Sequence, residues 1–169
     1  MLDHPPPPDF RPWDIESNGG CAIRTDGTLA CWGFESEDCK YTVMYDDLPQ
    51  DDDFVAVSVG WCNACGLHAD GSITCWGSEG VTTALEGDGF VGLSASKYSV
   101  CALTAEGGIQ CWGTDDVAKK KNIPTGTGYA QVDLGYNWAC ALNAAGFATC
   151  WGGGLVWGRD CPVLTGYVR

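Results

Sequence analysis

Basic side chains of every kind are scarce in this chain. Histidine occurs twice, as His4 and His68, so the paired-histidine spacings of metal sites are absent and a cysteine or serine nucleophile is short of a base. Lysine and arginine number nine against 22 aspartates and glutamates. The resulting formal charge of −13 weighs against nucleic acid and anionic membranes as partners, because both are held by positive surface. Lys119 Lys120 Lys121 is the only basic run. No apolar stretch approaches the roughly 20 residues of a membrane-spanning helix, so no membrane insertion is expected. Gly152 Gly153 Gly154 lacks the lysine of a phosphate loop, no nucleophile motif stands beside a general base, and no Asn-x-Ser/Thr sequon occurs. MLDHPPPP has neither the basic start nor the apolar core of a secretory signal. The acidic groups Asp46 Asp47 and Asp51 Asp52 Asp53 lack the spaced ligands and glycine of a calcium loop and read as solvated loop. The expectation is a chain that is not an enzyme and takes no cofactor or metal.

What the chain has in excess is cysteine, glycine and tryptophan (11, 24 and 8 residues), and the three recur together. GGCAIRTDGTLACWG, NACGLHADGSITCWG, SVCALTAEGGIQCWG and WACALNAAGFATCWG are four copies of one pattern, each with nine residues between its cysteines. Phe10, Phe54, Phe90 and Tyr129 each stand eleven positions before the first cysteine of their copy. Four in-phase units fix the architecture as a repeat. In the second unit, Ala69 Asp70 Gly71 reads as a three-residue hairpin loop ending in a left-handed glycine, recurring as Gly27, Gly107 and Gly146. That loop sets 65 opposite 75 and 67 opposite 73, so the cysteines face each other across neighbouring strands, where a disulfide fits. The expected pairs are Cys21 with Cys31, Cys65 with Cys75, Cys101 with Cys111, and Cys140 with Cys150. Each would contribute about 2 to 3 kcal/mol. Structural zinc favours about two to four residues between ligands and does not suit this spacing.

Alternation of side chains gives each hairpin two unlike faces. One carries the cystine and an apolar pair, such as Leu67 with Ile73. The other carries a small residue (Ala22, Gly66, Ala102 or Ala141) and the tryptophan after the second cysteine (Trp32, Trp76, Trp112 or Trp151), read as core. Both faces need cover, as stacked or radial sheets provide. A further strand precedes each hairpin, as in Phe54–Val59, Phe90–Leu93 and Tyr129–Leu134; the first copy, Phe10–Ile15, holds Pro12, which suits an edge. A fourth strand is expected at Tyr41–Tyr45 and less so in the other units. The fold class is therefore all-β: four three- or four-stranded antiparallel blades in a β-propeller-like arrangement, closed or open. Residues 1–9 form a proline-rich tail, and 10–169 a single repeat domain with units of about 10–53, 54–89, 90–128 and 129–166 and the start of a fifth strand at 167–169.

An FVxVxxG-like strand, then CAL, a turn and CWG resembles the regulator of chromosome condensation repeat, in its cysteine-stapled extracellular form. The resemblance covers nearly the whole chain and implies β-propeller-type blades, which in that family commonly close a ring of about seven. Where the family often has a histidine before the CAL-like strand, this chain has Gly19, Asn63, Ser99 and Trp138.

Cysteines in such regular pairs point to an oxidising compartment, and so to an extracellular or cell-surface location. Cys39, Cys62 and Cys161 stand outside the pattern. In an up-and-down blade the loops holding Cys39 and Cys62 emerge on the same side, so these two are expected to pair across units. Cys161 is either free or joined to another chain. Tyr167 and Val168 open a strand with no blade of its own, an unpaired edge that closes on unit one or docks on another copy. Pro5, Pro6, Pro7 and Pro8 favour polyproline II and read as a stiff tether, or as a docking or glycosylation segment. His68 occupies a strand position taken elsewhere by Arg24, Thr104 and Asn143 and reads as surface variation. The functional expectation is a secreted structural or adhesive protein assembling head to tail with copies of itself into a fibre or ring. The alternative is a monomeric module binding a glycan or another extracellular protein through an aromatic rim of Trp61, Tyr98, Tyr136, Trp138 and Trp157. In that reading Trp61, Tyr136 and Trp138 sit in the turn between the first two strands of their blades. A loop-built hydrolase is the distant third.

Overall fold

A computed structural model describes residues 10–16, 19–33, 48–77, 87–114 and 123–152, with side chains not described for 10–13 and 16. The fourth strand expected at 41–45 lies outside these residues, as do Cys39, Trp157, Cys161, Tyr167, Val168 and the proline run. The described chain is all-β: β1 (Phe10–Glu16), β2 (Gly19–Arg24), β3 (Leu29–Gly33), β4 (Phe54–Val59), β5 (Asn63–His68), β6 (Ile73–Gly77), β7 (Phe90–Ala95), β8 (Ser99–Thr104), β9 (Ile109–Gly113), β10 (Tyr129–Leu134), β11 (Trp138–Asn143) and β12 (Ala148–Gly152). They form four antiparallel three-stranded sheets, β1-β2-β3, β4-β5-β6, β7-β8-β9 and β10-β11-β12. Each sheet is one blade. First strands of successive blades lie side by side, β1 by β4, β4 by β7 and β7 by β10, and the array is not closed into a ring.

The hairpin register follows from its turn. His68 N–H donates to the Ser72 carbonyl at 2.9 Å and Gly71 N–H to the His68 carbonyl at 3.0 Å, so the alternation puts Cys65 and Cys75 at a narrow, non-hydrogen-bonded pair. All four such pairs are disulfides, with Cα atoms 4.0 to 4.1 Å apart. Cys62 is disulfide-bonded too, to a partner outside the described residues. Pro12 falls in an edge strand of its sheet, and the pair that its counterparts Ala56, Gly92 and Gln131 make with the second strand is absent in blade 1.

The two faces of the hairpin meet their opposites. Cys21, Ile23 and Leu29, the cystine face of blade 1, pack against Phe54, Val57, Val59, Ala64 and Trp76, the tryptophan face of blade 2. Cys65, Leu67 and Ile73 pack in the same way on blade 3, and Cys101 and Leu103 on blade 4. The core is thus three seams between blades. Each fully buried Phe, Leu or Ile contributes about 1.5 to 3 kcal/mol. The small residue of the tryptophan face is small for a reason: a Cβ at Gly66 would stand 2.5 Å from the ring of Phe54. His68, expected at the surface, is instead buried at 8% exposure. Its Nδ1 lies 2.6 Å from Asp53 Oδ1, its Nε2 2.8 Å from Thr74 Oγ1, and its ring stacks on Phe54 at 4.3 Å. Those partners satisfy a buried polar ring at a position whose occupants in the other units, Arg24, Thr104 and Asn143, suggest the surface.

The first strands carry a feature that the alternation of residues hid. Phe54 opposes His68 and Ala56 opposes Leu67, so Val55 is an extra, bulged residue, and the same shift recurs in the other three blades. The hairpin turn of each blade also holds the next one: Phe90 N–H donates to the Gly71 carbonyl at 3.0 Å and Tyr129 N–H to the Gly107 carbonyl at 3.1 Å. Gly71 has φ of +87°, and a Cβ there would stand 2.6 Å from the Gly89 nitrogen. Left-handed geometry and close approach are thus both demanded at one position. Gly71→Ala is expected to cost at least about 2 kcal/mol, read from urea midpoints. Gly92→Ala, whose Cβ would meet only Leu103 at 3.9 Å, should change stability by less than about 0.5 kcal/mol. Equal effects would refute the double constraint.

In blades 1 and 2 the turn is braced by a carboxylate. Asp26 Oδ1 accepts from the Thr28 hydroxyl at 2.7 Å and amide at 3.0 Å, and Asp70 Oδ1 from those of Ser72 at 2.6 and 2.8 Å. These bonds, the hydroxyl's first, hold both carboxyls below their ordinary value of 3.8. The bracing is complete well above that value and is lost as pH falls through the lowered folded one. Amide exchange at Ser72, corrected for intrinsic rates, is expected to accelerate below pH 3.8. Asp70→Asn should remove that acid dependence; a variant that keeps it would place the titrating group elsewhere.

Candidate functional site

Three constellations stand out on this scaffold. The first lines the first strands. Asp14, Ser58, Ser94 and Asp133 each stand seven positions before the first cysteine of their unit. Asp14 Oδ2 accepts from the Ser58 hydroxyl at 3.0 Å and from the Val59 amide at 2.8 Å. Ser58 Oγ accepts from the Ala95 amide at 3.0 Å, and Ser94 Oγ from the Leu134 amide at 3.1 Å. Ser94 Oγ also donates to Asp133 Oδ1 at 3.2 Å. One blade's side chain therefore captures a backbone N–H at the end of the next blade's first strand, three times in succession. The ladder borders a cavity of about 400 Å³, lined also by Val91, Gln131 and Leu103. Its polar atoms are spent on one another, so it works as an inter-blade clasp. Ser58→Ala would strand the buried Ala95 N–H, and a loss of about 1 to 3 kcal/mol is expected in denaturant titration. An unchanged midpoint would mean the clasp carries no net stability.

The second constellation is the Asp53–His68–Thr74 chain. Its order resembles a carboxylate, base and hydroxyl relay, but the imidazole is buried beneath Phe54 with both nitrogens engaged. It ties the start of β4 to β5 and β6.

The third lies at the far end of the first strands. Gly60 N–H donates to the Asn63 carbonyl, Ser96 N–H to that of Ser99 and Gly135 N–H to that of Trp138, each at 2.8 Å. These bonds close identical two-residue loops whose tips are Trp61 Cys62, Lys97 Tyr98 and Tyr136 Asn137. The tip residues converge. Lys97 Nζ lies 4.8 Å from the ring centroid of Trp61, 5.0 Å from that of Tyr98 and 5.8 Å from that of Tyr136. Tyr98 and Tyr136 meet edge to face at 6.4 Å. Each ammonium–ring contact at an exposed site contributes about 0.5 to 1 kcal/mol. Asn63 fixes the middle loop, its Nδ2 donating to the carbonyls of Ser96 at 3.0 Å and Lys97 at 3.1 Å. Tyr136 remains 57% exposed and Tyr98 39%.

The rim differs from the sequence expectation in membership. Tyr98 is in a tip. Trp138 is not: the two-residue loop ends at Asn137, and Trp138 is the first residue of β11, 46% exposed at the open side of blade 4. Lys97 was missed, although it stands four positions before its cysteine, as do Trp61 and Tyr136; alignment of the units was the available signal. Trp157 lies outside the described residues. The arrangement offers ring faces and edges around one cation, suited to a ligand with packed C–H surface and a nearby anion.

No family model and no curated protein matches this sequence. Solved structures do. The CRINKLY WD40 ectodomain of the Arabidopsis thaliana receptor kinase ACR4 superposes with a TM-score of 0.71 at 20% identity, over 92% of this chain and 53% of that one. The ectodomain of the Physcomitrella patens receptor kinase CR4 gives 0.67 at 24%, over 85% and 41%. Prp20p of Saccharomyces cerevisiae, the yeast RCC1, gives 0.64 at 15%, over 86% and 45%; its structure was described together with its binding to Gsp1p and histones. The chain thus spans about half the length of these three solved chains. The likeness establishes the fold: RCC1-type and WD40-type propeller blades, here stapled by cystines.

Proposed function

We propose that this chain is a non-enzymatic structural or adhesive domain of the extracellular space whose copies join head to tail. The observation that carries the reading is the mismatch of the two end faces. Every internal seam sets a cystine face on a tryptophan face. At one end, Ile15 of blade 1 is 55% exposed where its counterparts Val59 and Ala95 are 3% and 8%. At the other, Cys140, Leu142 and Ala148 of blade 4 are half-buried where Cys101 and Leu103 are buried. Among the described residues, the two ends are the two halves of one more seam. The ladder has the same polarity: Asp133 stands where Asp14 accepts the next blade's amide, and the Ile15 amide, which turns back to its own Asp14 at 3.0 Å, stands where that amide would be. A contact between unlike faces is heterologous, so it repeats into rings or fibres.

Four cystines and the likeness to plant receptor ectodomains support an extracellular setting. Tyr167 and Val168 would add the opening of a further first strand to the joint, and Cys161 a bond between chains. The competing reading, a monomeric module for a glycan or protein, is favoured by one observation, the exposed aromatic tips. Protein binding by Prp20p supports that reading in kind.

Sedimentation velocity and electron microscopy without reductant test the choice. The unmodified chain is expected to form rings or fibres at tens of micromolar. Leu142→Lys or Ile15→Lys should abolish the rings or fibres with all cystines intact, since each charges one half of the joint. A chain that stays monomeric across that range sinks the head-to-tail reading.

A further inference from the structure

The aromatic rim and the proline run are chemical complements, and we infer that the rim is a docking site for the Pro5–Pro8 segment of a second copy. A polyproline II helix rises about 3.1 Å per residue, has no internal hydrogen bonds, and offers ring C–H surface that packs between aromatic side chains. Trp61, Tyr98 and Tyr136, from three successive loops, supply such a surface at one end of the blades. The charges agree as well. Asp3 and Asp9 flank the four prolines, and Lys97 places an ammonium amid the rings.

Chain reach decides that the occupant is another copy. Phe10 begins β1, and the rim lies at the opposite end of the first strands. Six rises of about 3.3 Å take the chain roughly 20 Å from Phe10 to Glu16. Pro5 stands five residues before Phe10, which spans about 16 Å of polyproline II. A chain's own prolines therefore fall short of its own rim before any sideways distance to blades 2 to 4 is counted. The segment leaves from the end of the blades that a copy stacked above would present to the rim. The contact is axial, whereas the joint between end faces is lateral. Neither requires the other.

The test is fluorescence anisotropy of a labelled peptide of residues 1–10 titrated with the full chain. Saturable binding is expected, weakened roughly tenfold or more by Tyr136→Ala, an exposed side chain whose loss leaves the seams intact. Lys97→Gln should also weaken binding and flatten its salt dependence. A peptide carrying Pro6→Ala and Pro7→Ala should not bind. Three results would overturn the inference: no saturation by millimolar chain, equal binding of the alanine peptide, or binding indifferent to Tyr136→Ala. Binding of a soluble oligosaccharide at the rim without any of the peptide would overturn it too. Because the peptide is read directly, a chain that forms no rings or fibres yet binds it leaves this inference standing while removing the lateral one.

Discussion

The structure rests on the seam between a cystine face and a tryptophan face. A three-stranded blade of so few residues has too little interior to be stable alone, since small units bury too small a share of their surface. Here the blade has no interior. Its two sides are the outer halves of two different cores, and only stacking completes them. The cystine is central to this because it occupies a narrow pair at the middle of the hairpin and faces the seam. It therefore both fixes the register and supplies apolar surface that a larger protein would draw from aliphatic side chains. The register in turn sends Trp76 and its counterparts to the opposite side. Unlike faces follow from one pairing, and a directional stack follows from unlike faces.

The same direction runs through the polar contacts. At the end of the first strands away from the bulge, Asp14, Ser58 and Ser94 each capture a backbone N–H of the following blade. The hairpin turn acts alike at the opposite end of the first strands, with the Gly71 carbonyl taking the Phe90 amide. Two rows of hydrogen bonds thus bracket each apolar seam. Buried backbone groups that would be orphaned in an isolated blade find partners only across it. Cooperativity between blades is therefore a matter of hydrogen-bond satisfaction as well as area.

What could be read from the sequence was whatever the repeat expressed through residue identity. Nine residues between cysteines and a glycine at one offset carry the hairpin, its register, its cystine and its faces, because left-handed geometry and disulfide geometry each admit few residues. The bulge was hidden because Phe54 to Val59 is nearly continuously apolar, so an inserted residue breaks no visible alternation. The clasp was hidden for the opposite reason. Asp and Ser at one offset look like solvent-facing polar positions until the neighbouring blade's amide is seen beside them. His68 misled because Arg24, Thr104 and Asn143 at its offset suggest solvent, and nothing in them tells of Asp53 and Thr74 waiting there. The rim was half legible: aromatics drew notice, but the cation among them did not, because Lys97 shares an offset with Trp61 and Tyr136 and not a chemical type.

A directional stack cannot cover both its own ends. If each blade needs a cystine face before it and a tryptophan face after it, any finite run of blades exposes one of each. Adding blades moves the problem without removing it; ring closure, a cap or another chain would resolve it. Some repeat proteins end in capping units with a polar outer face. Blade 1 does not follow that pattern, since Ile15 keeps the apolar character of Val59 and Ala95 at the position a cap would make polar. Blade 4 likewise retains Leu142 and the cystine on its outer side. Under the head-to-tail proposal this retained apolar character would form the joint, with Asp133 set against the Ile15 amide. The rim obeys no such constraint: its residues vary from blade to blade at one offset, four positions before the first cysteine of each unit.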